Sequence, residues 1–138
     1  MNEIFPTELG ILACLAIFAA FMWVPYIVGI ANDPSQEDAF DTPADQRNLR
    51  PWVQRAYRAH LNLIEQLLPY AILVLLVDRV DGFTVLTYFT AIAFFWLRVL
   101  HAVGMITGYA KMPVRPLLFT GGWICIAIMA FSFFAAVP

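Results

Sequence analysis

Four apolar runs, at about residues 9–31, 52–77, 83–108 and 114–137, leave this chain of 138 residues little choice of fold. Coiled as helices at about 1.5 Å per residue, each is long enough for a hydrocarbon core of about 30 Å. A composition of 62% hydrophobic and 13% charged residues agrees, because soluble domains carry about 25% charged residues. The expectation is an all-α integral membrane four-helix bundle, one four-span domain with a long polar loop at 32–50.

Charge narrows the partners. A net charge of -2 with 8 basic residues offers no basic face to nucleic acid, and the acidic residues gather in one connecting loop. Glu3 and Glu8 precede the first apolar run and no lysine or arginine does, so the basic n-region of a cleaved signal peptide is missing and that run is expected to stay. Cys14 and Cys125 lie deep in apolar runs without paired spacing, which predicts neither a disulfide nor a metal site.

Along the chain, Pro25 removes a backbone hydrogen bond inside the first span and predicts a kink, with Trp23 and Tyr26 placed for an interfacial belt. The 32–50 stretch has no helical or strand periodicity and reads equally as a lid or as a solvated connector. Pro51 suits the first turn of the second helix, and Pro69 lies in its apolar half. The short turns at Asp78–Gly82 and Gly108–Pro113 make successive spans antiparallel neighbours. Arg47, Arg50, Arg55 and Arg58 flank the first loop and Lys111 and Arg115 the third, against Arg79 alone in the second. The first and third loops are therefore expected to be cytoplasmic, with both termini on the opposite side.

The second span is interrupted by Arg55, Arg58, Asn62 and Glu65, spaced 3, 4 and 3 and so falling in one helical stripe. A charge at the centre of a membrane helix costs roughly 3 kcal/mol, and such residues usually face protein or water and mark a site. Arg98 and His101 share a side of the third span, and Arg115 opens the fourth, all toward the same end of the bundle. Arginine forks suit carboxylates, while Asn62 and Glu65 add an amide and an acceptor for an ammonium, a set matched to a small zwitterion. Arg115 near a helix N-terminus supplies positive potential that favours a thiolate. Each feature also has a plain structural account. Asn and Glu can be interhelical glue, Glu65 can pair with Arg98, and His101 can be a satisfied buried histidine. Arg47, Arg50, Arg79 and Lys111 can anchor helix ends at headgroups, and Gly104 with Gly108 can mark a close helix crossing.

The segment Arg58-Ala59-His60-Leu61-Asn62-Leu63-Ile64-Glu65, followed by Arg98-Val99-Leu100-His101 and then Arg115, resembles the membrane-associated proteins in eicosanoid and glutathione metabolism, the MAPEG family. The likeness covers all four spans, and Arg-x-x-x-Asn-x-x-Glu is its most specific element. The resemblance implies a homotrimer that binds glutathione as co-substrate between subunits and takes a lipophilic second substrate from the bilayer lipids. It implies that Arg58, Asn62 and Glu65 hold the glutathione backbone and amino group, that His101 contacts the tripeptide, and that Arg115 stabilises the thiolate as the catalytic residue. Arg98 matches an arginine of the family's third helix. Met105 stands where many members carry a tyrosine, with Tyr109 one turn on as its stand-in. Ala31 and Asn32 stand where animal enzymes have a basic residue, and Leu61 and Pro116 replace an arginine and a serine of the prostaglandin-synthesising branch. The implied activity is thus a glutathione transferase or peroxidase acting on lipophilic electrophiles or lipid hydroperoxides, not prostaglandin or leukotriene synthesis. A non-catalytic accessory subunit of the same fold is the alternative, and a small transporter a weaker third, since internal repeats are absent.

Overall fold

The structure, a computed structural model, describes residues 5–35 and 41–138. Glu3 and the middle of the polar loop, including Glu37 and Asp38, lie outside the described residues. Among the described residues five helices follow in order: α1 (Thr7–Phe21), α2 (Val24–Ala31), α3 (Pro51–Arg79), α4 (Val85–Thr107) and α5 (Val114–Ala136). They make four helical spans long and apolar enough to cross a membrane, α1 and α2 together forming the first, from Thr7 to Ala31. The all-helical membrane bundle anticipated from the apolar runs is what the chain forms.

Proline explains the division of the first span. Pro25 has no amide hydrogen and its ring crowds the carbonyl of Phe21, four residues back. The chain answers by closing α1 at Met22, whose amide reaches both Phe18 and Ala19 carbonyls at 3.1 and 3.2 Å, and by starting α2 from Trp23, whose carbonyl takes the Ile27 amide at 3.1 Å. The expected kink is a helix break. Pro69, by contrast, is carried inside α3 without interrupting it.

The core runs between α1, α3, α4 and α5, with Leu15, Leu63, Tyr70, Val74, Phe94 and Met129 at its centre. Tyr70 stacks on Phe94 with ring centroids 3.8 Å apart, and both are fully buried. Phe21, Phe89, Phe131 and Phe134 point outward, as apolar side chains in a bilayer do. Glu8 is buried too: it accepts a hydrogen bond of 2.7 Å from the Thr87 hydroxyl and ties α1 to the start of α4. Thr84 and Thr87 form a reciprocal capping box there, which satisfies amides that begin α4.

At the other end of α4, Gly108 takes the left-handed conformation with φ 84° and lets Ala110 N–H return to the Gly104 carbonyl at 2.9 Å. Gly104 packs on Ala110, where an added Cβ would lie 2.9 Å from the alanine methyl. Within the chain this glycine pair therefore builds a helix terminus rather than a close helix crossing.

The long loop is held at both ends. Arg50 caps the end of α2 by donating to the carbonyls of Asn32 at 2.9 Å and Gly29 at 3.3 Å, and it pairs with Asp33 at 3.6 Å. Arg50 is thus a tether for the loop rather than a headgroup anchor alone. Gly29 makes room for this closure, because a Cβ there would meet Val53 Cγ2 at 2.6 Å. Asp33 also accepts from the Ser35 hydroxyl at 2.7 Å and amide at 3.0 Å, and these donors, more than Arg50, hold its carboxyl below the usual carboxylate range. A carboxylate whose pKa is depressed in the folded state contributes stability above its unfolded pKa and loses it as pH falls through the folded value. Asp33→Asn is expected to speed limited proteolysis of the 32–50 loop at neutral pH, and the difference from the unaltered chain to close as pH falls below about 4. Equal protection of Asp33→Asn and the unaltered chain at neutral pH would remove the tether.

Candidate functional site

The polar stripe of α3 divides when it is wrapped on a helix. At about 100° per residue, Arg55 and Asn62 fall in one column and Arg58 and Glu65 in another, roughly 60° around the helix. The first column faces α4. Arg55 Nε donates to the Met105 carbonyl at 3.0 Å, and its Nη2 to the Ile106 carbonyl at 3.3 Å, placing a cation at the negative end of α4. Asn62 Nδ2 lies 3.5 Å from the Met105 sulfur. Gln66, one turn further, donates to the Phe119 carbonyl of α5 at 3.0 Å. The second column looks outward: Arg58 and Glu65 are both exposed. Arg58 shares a smaller cavity of about 260 Å³ with Arg47, Gln54 and Tyr57.

Arg98 and His101 are deeply buried on α4, at 1% and 2% exposure. The Arg98 guanidinium lies between the rings of Phe94 and Phe119, 5.8 and 6.0 Å from their centroids, and its Nη2 donates to the Leu118 carbonyl at 2.6 Å. Its Nε and Nη1 have no hydrogen-bond partner among the described residues, and neither does Gln66 Oε1. Among the described residues the only ion pair is Arg50 with Asp33, so the pairing of Glu65 with Arg98 weighed from the sequence is not formed.

At the end of the bundle where α3 and α5 begin and α4 finishes, a cavity of about 620 Å³ opens between the three helices. Asn62 from α3, His101 from α4, and Arg115, Phe119 and Thr120 from α5 line it, together with Lys111 of the α4–α5 loop. Three residues read from the sequence as one site, Asn62, His101 and Arg115, therefore share one wall-to-wall space. Arg98 lies behind Phe119, whose ring is 6.2 Å from that of His101. Arg58 and Glu65 are on the outer face of α3. Tyr109 is 86% exposed and belongs to a neighbouring apolar groove of about 330 Å³ with Leu100, Val103 and Leu118.

Residue spacing leaves three contributors unassigned to the site. Lys111, read as a headgroup anchor, lines the cavity; its position four residues before Arg115 was the available signal. Gln66 lies four residues after Asn62, on the same column, but sits among leucines. Phe119 gave no polar signal at all. Chemically, the cavity offers two cations, an amide and an imidazole at its polar side and aromatic and apolar surface behind, which suits a small anionic molecule with a reactive group held near Arg115. No cluster of three metal-ligating side chains occurs among the described residues.

Comparison with known protein families matches residues 10–135, nearly the whole chain, to the MAPEG family. The chain belongs to that family. As a MAPEG protein it is a four-helix membrane bundle of eicosanoid and glutathione metabolism, and the cavity between α3, α4 and α5 lies in its matched region. A search of curated proteins gave no match.

Proposed function

We propose that this MAPEG protein is a glutathione-dependent membrane transferase or peroxidase acting on lipophilic electrophiles or lipid hydroperoxides. The observation that carries the reading is the cavity in which Asn62, His101, Lys111 and Arg115 meet from three helices and a loop. Glutathione brings two carboxylates, an ammonium and a thiol. Lys111 takes a carboxylate, Asn62 and His101 hydrogen-bond the peptide, and Arg115 stabilises the sulfur as a thiolate. In the transferase reaction the thiolate forms a bond to an electrophilic carbon, whose leaving group departs with its electron pair. In the peroxidase reaction the thiolate takes the distal oxygen of a hydroperoxide. The O–O bond breaks, the alkoxide is protonated, and a second glutathione converts the sulfenic acid to disulfide and water.

The outer column of α3 bears on assembly. Arg58, Leu61, Glu65, Leu68, Ile72, Leu75 and Arg79 recur at intervals of three and four residues and are all exposed. That is the spacing of a heptad seam between helices. We take this face as the homotrimer contact, with Arg58 and Glu65 brought by it toward a neighbour's glutathione site, and the first and third loops as cytoplasmic. The same observation favours the second reading. If Arg58 and Glu65 serve only the seam, the protein is an accessory membrane subunit with a vestigial cavity.

Calorimetric titration of glutathione into the detergent-purified protein separates the two. Saturable binding is expected, weakened about tenfold or more by Asn62→Ala and by the Arg58→Ala, Glu65→Ala pair, each change removing a charged or amide contact. Absence of binding at millimolar glutathione by an intact oligomer would leave the accessory reading standing.

A further inference from the structure

The stretch of α5 just after Arg115 is gripped from two sides. Gln66 of α3 donates to the Phe119 carbonyl at 3.0 Å, and Arg98 of α4 donates to the neighbouring Leu118 carbonyl at 2.6 Å. Both side chains are more than nine-tenths buried. Gly122 makes the grip possible: a Cβ there would overlap Gln66 Oε1 and lie 2.7 Å from Arg98 Nη2. A carbonyl has two lone pairs, so these bonds add to the helix's own ladder instead of replacing it. The ladder fixes the shape of α5, whereas donors from two other helices fix where α5 sits. Phe119 lines the cavity, and Arg115 lies four residues before it, about one turn along the same rod.

We infer that Gln66, acting with Arg98 across the Gly122 seat, is a positioning residue that sets how closely the Arg115 cation approaches the thiol site. The inference rests on the glutathione reading above. Neither Gln66 nor Arg98 lines the cavity; both work through the backbone of α5. An interhelical hydrogen bond that served only as glue would change the melting temperature and leave the chemistry of a bound thiol alone.

The test is a cycle of Gln66→Ala, Gly122→Ala and their combination in the full-length, detergent-purified protein. It reads the ultraviolet thiolate absorbance of bound glutathione against pH, with kcat, KM and melting temperature. Loss of the grip is expected to raise the pH at which the bound thiol ionises, to cut thiolate at neutral pH about tenfold, and to lower kcat more than it raises KM. Because alanine at 122 already displaces Gln66, the double variant is expected to match Gly122→Ala. Should Gly122→Ala fail to fold, Gln66→Ala and the similarly sized Gln66→Leu carry the decision. Unaltered thiolate titration and kcat in the Gln66 variants, with only the melting temperature lowered, would overturn the positioning role. So would additive losses in the cycle. An unaltered protein that binds glutathione without forming thiolate also overturns it, and one that binds no glutathione overturns the functional reading first.

Discussion

Replacing Arg115 by alanine is expected to lower kcat by about 100-fold at neutral pH while glutathione affinity changes only a few-fold and the protein stays folded. The magnitude follows from what the cation does. A positioned charge that stabilises developing or formed anionic character is worth about 10²–10³ in kcat when removed. The lower end applies here because Arg115 is exposed and water screens part of its field. Its role should also be visible in pH dependence. A cation beside a thiol favours the thiolate and lowers the pH at which it forms, so its loss raises that pH. The variant is therefore expected to regain part of its rate as the solution approaches the ordinary thiol pKa of about 8.5, and Arg115→Lys to fall between the two. The measurement is kcat against pH with a soluble electrophile, next to thiolate absorbance. Full turnover by Arg115→Ala at neutral pH would take Arg115 out of the chemistry and hand the cavity's cationic role to Lys111.

How far the chain could be read in advance depended on the length scale. The four-span fold was legible because each apolar run is long enough to cross a bilayer and the short turns at Asp78–Gly82 and Gly108–Pro113 force neighbours to run antiparallel. That antiparallel order brings Asn62, His101 and Arg115 to one end, so their meeting was legible too. What spacing could not resolve was 60° of helix rotation. Arg55, Arg58, Asn62 and Glu65 look like one stripe, yet only Arg55 and Asn62 turn toward α4. Which column faces inward is decided by packing, here by Val53, Ala56, Ala59 and Leu63, whose burial sets the rotation of α3. Gln66 was hidden for a related reason. Its role requires a missing side chain on another helix, Gly122, and pairings of that kind leave no periodic trace. Lys111 and Arg50 were read as headgroup anchors because a cation at a membrane boundary satisfies that account wherever it points. Only the fold shows one lining a cavity and the other tying the ends of a loop.

Phenylalanine gives the sharpest case, and it carries the largest effect on stability. The sequence has 12 of them in a chain where inside and outside are both apolar, so hydrophobicity cannot sort core from lipid. Phe94 is expected to prove indispensable and Phe89, five residues before it on α4, nearly dispensable. Phe94 is fully buried, stacked 3.8 Å from Tyr70, and lies under the Arg98 guanidinium, while Phe89 is 62% exposed. Truncating a buried phenylalanine to alanine costs about 3–5 kcal/mol, through lost contacts and the cavity left behind. At Phe94 the void would also open beside a guanidinium with two nitrogens, and the Tyr70 hydroxyl, that have no hydrogen-bond partner among the described residues, so water drawn into it offsets part of the loss. Phe94→Ala is accordingly expected to lower the melting temperature in detergent by roughly 10 °C, and Phe89→Ala by no more than about 2 °C. Equal shifts for the two would mean that Phe94 does not sit in the core. A Phe94→Leu variant adds a second reading, since it refills most of the space but removes the ring beneath Arg98. A deficit of about 0.5–2 kcal/mol remaining in that variant would measure the stacking and cation–π contributions of the ring.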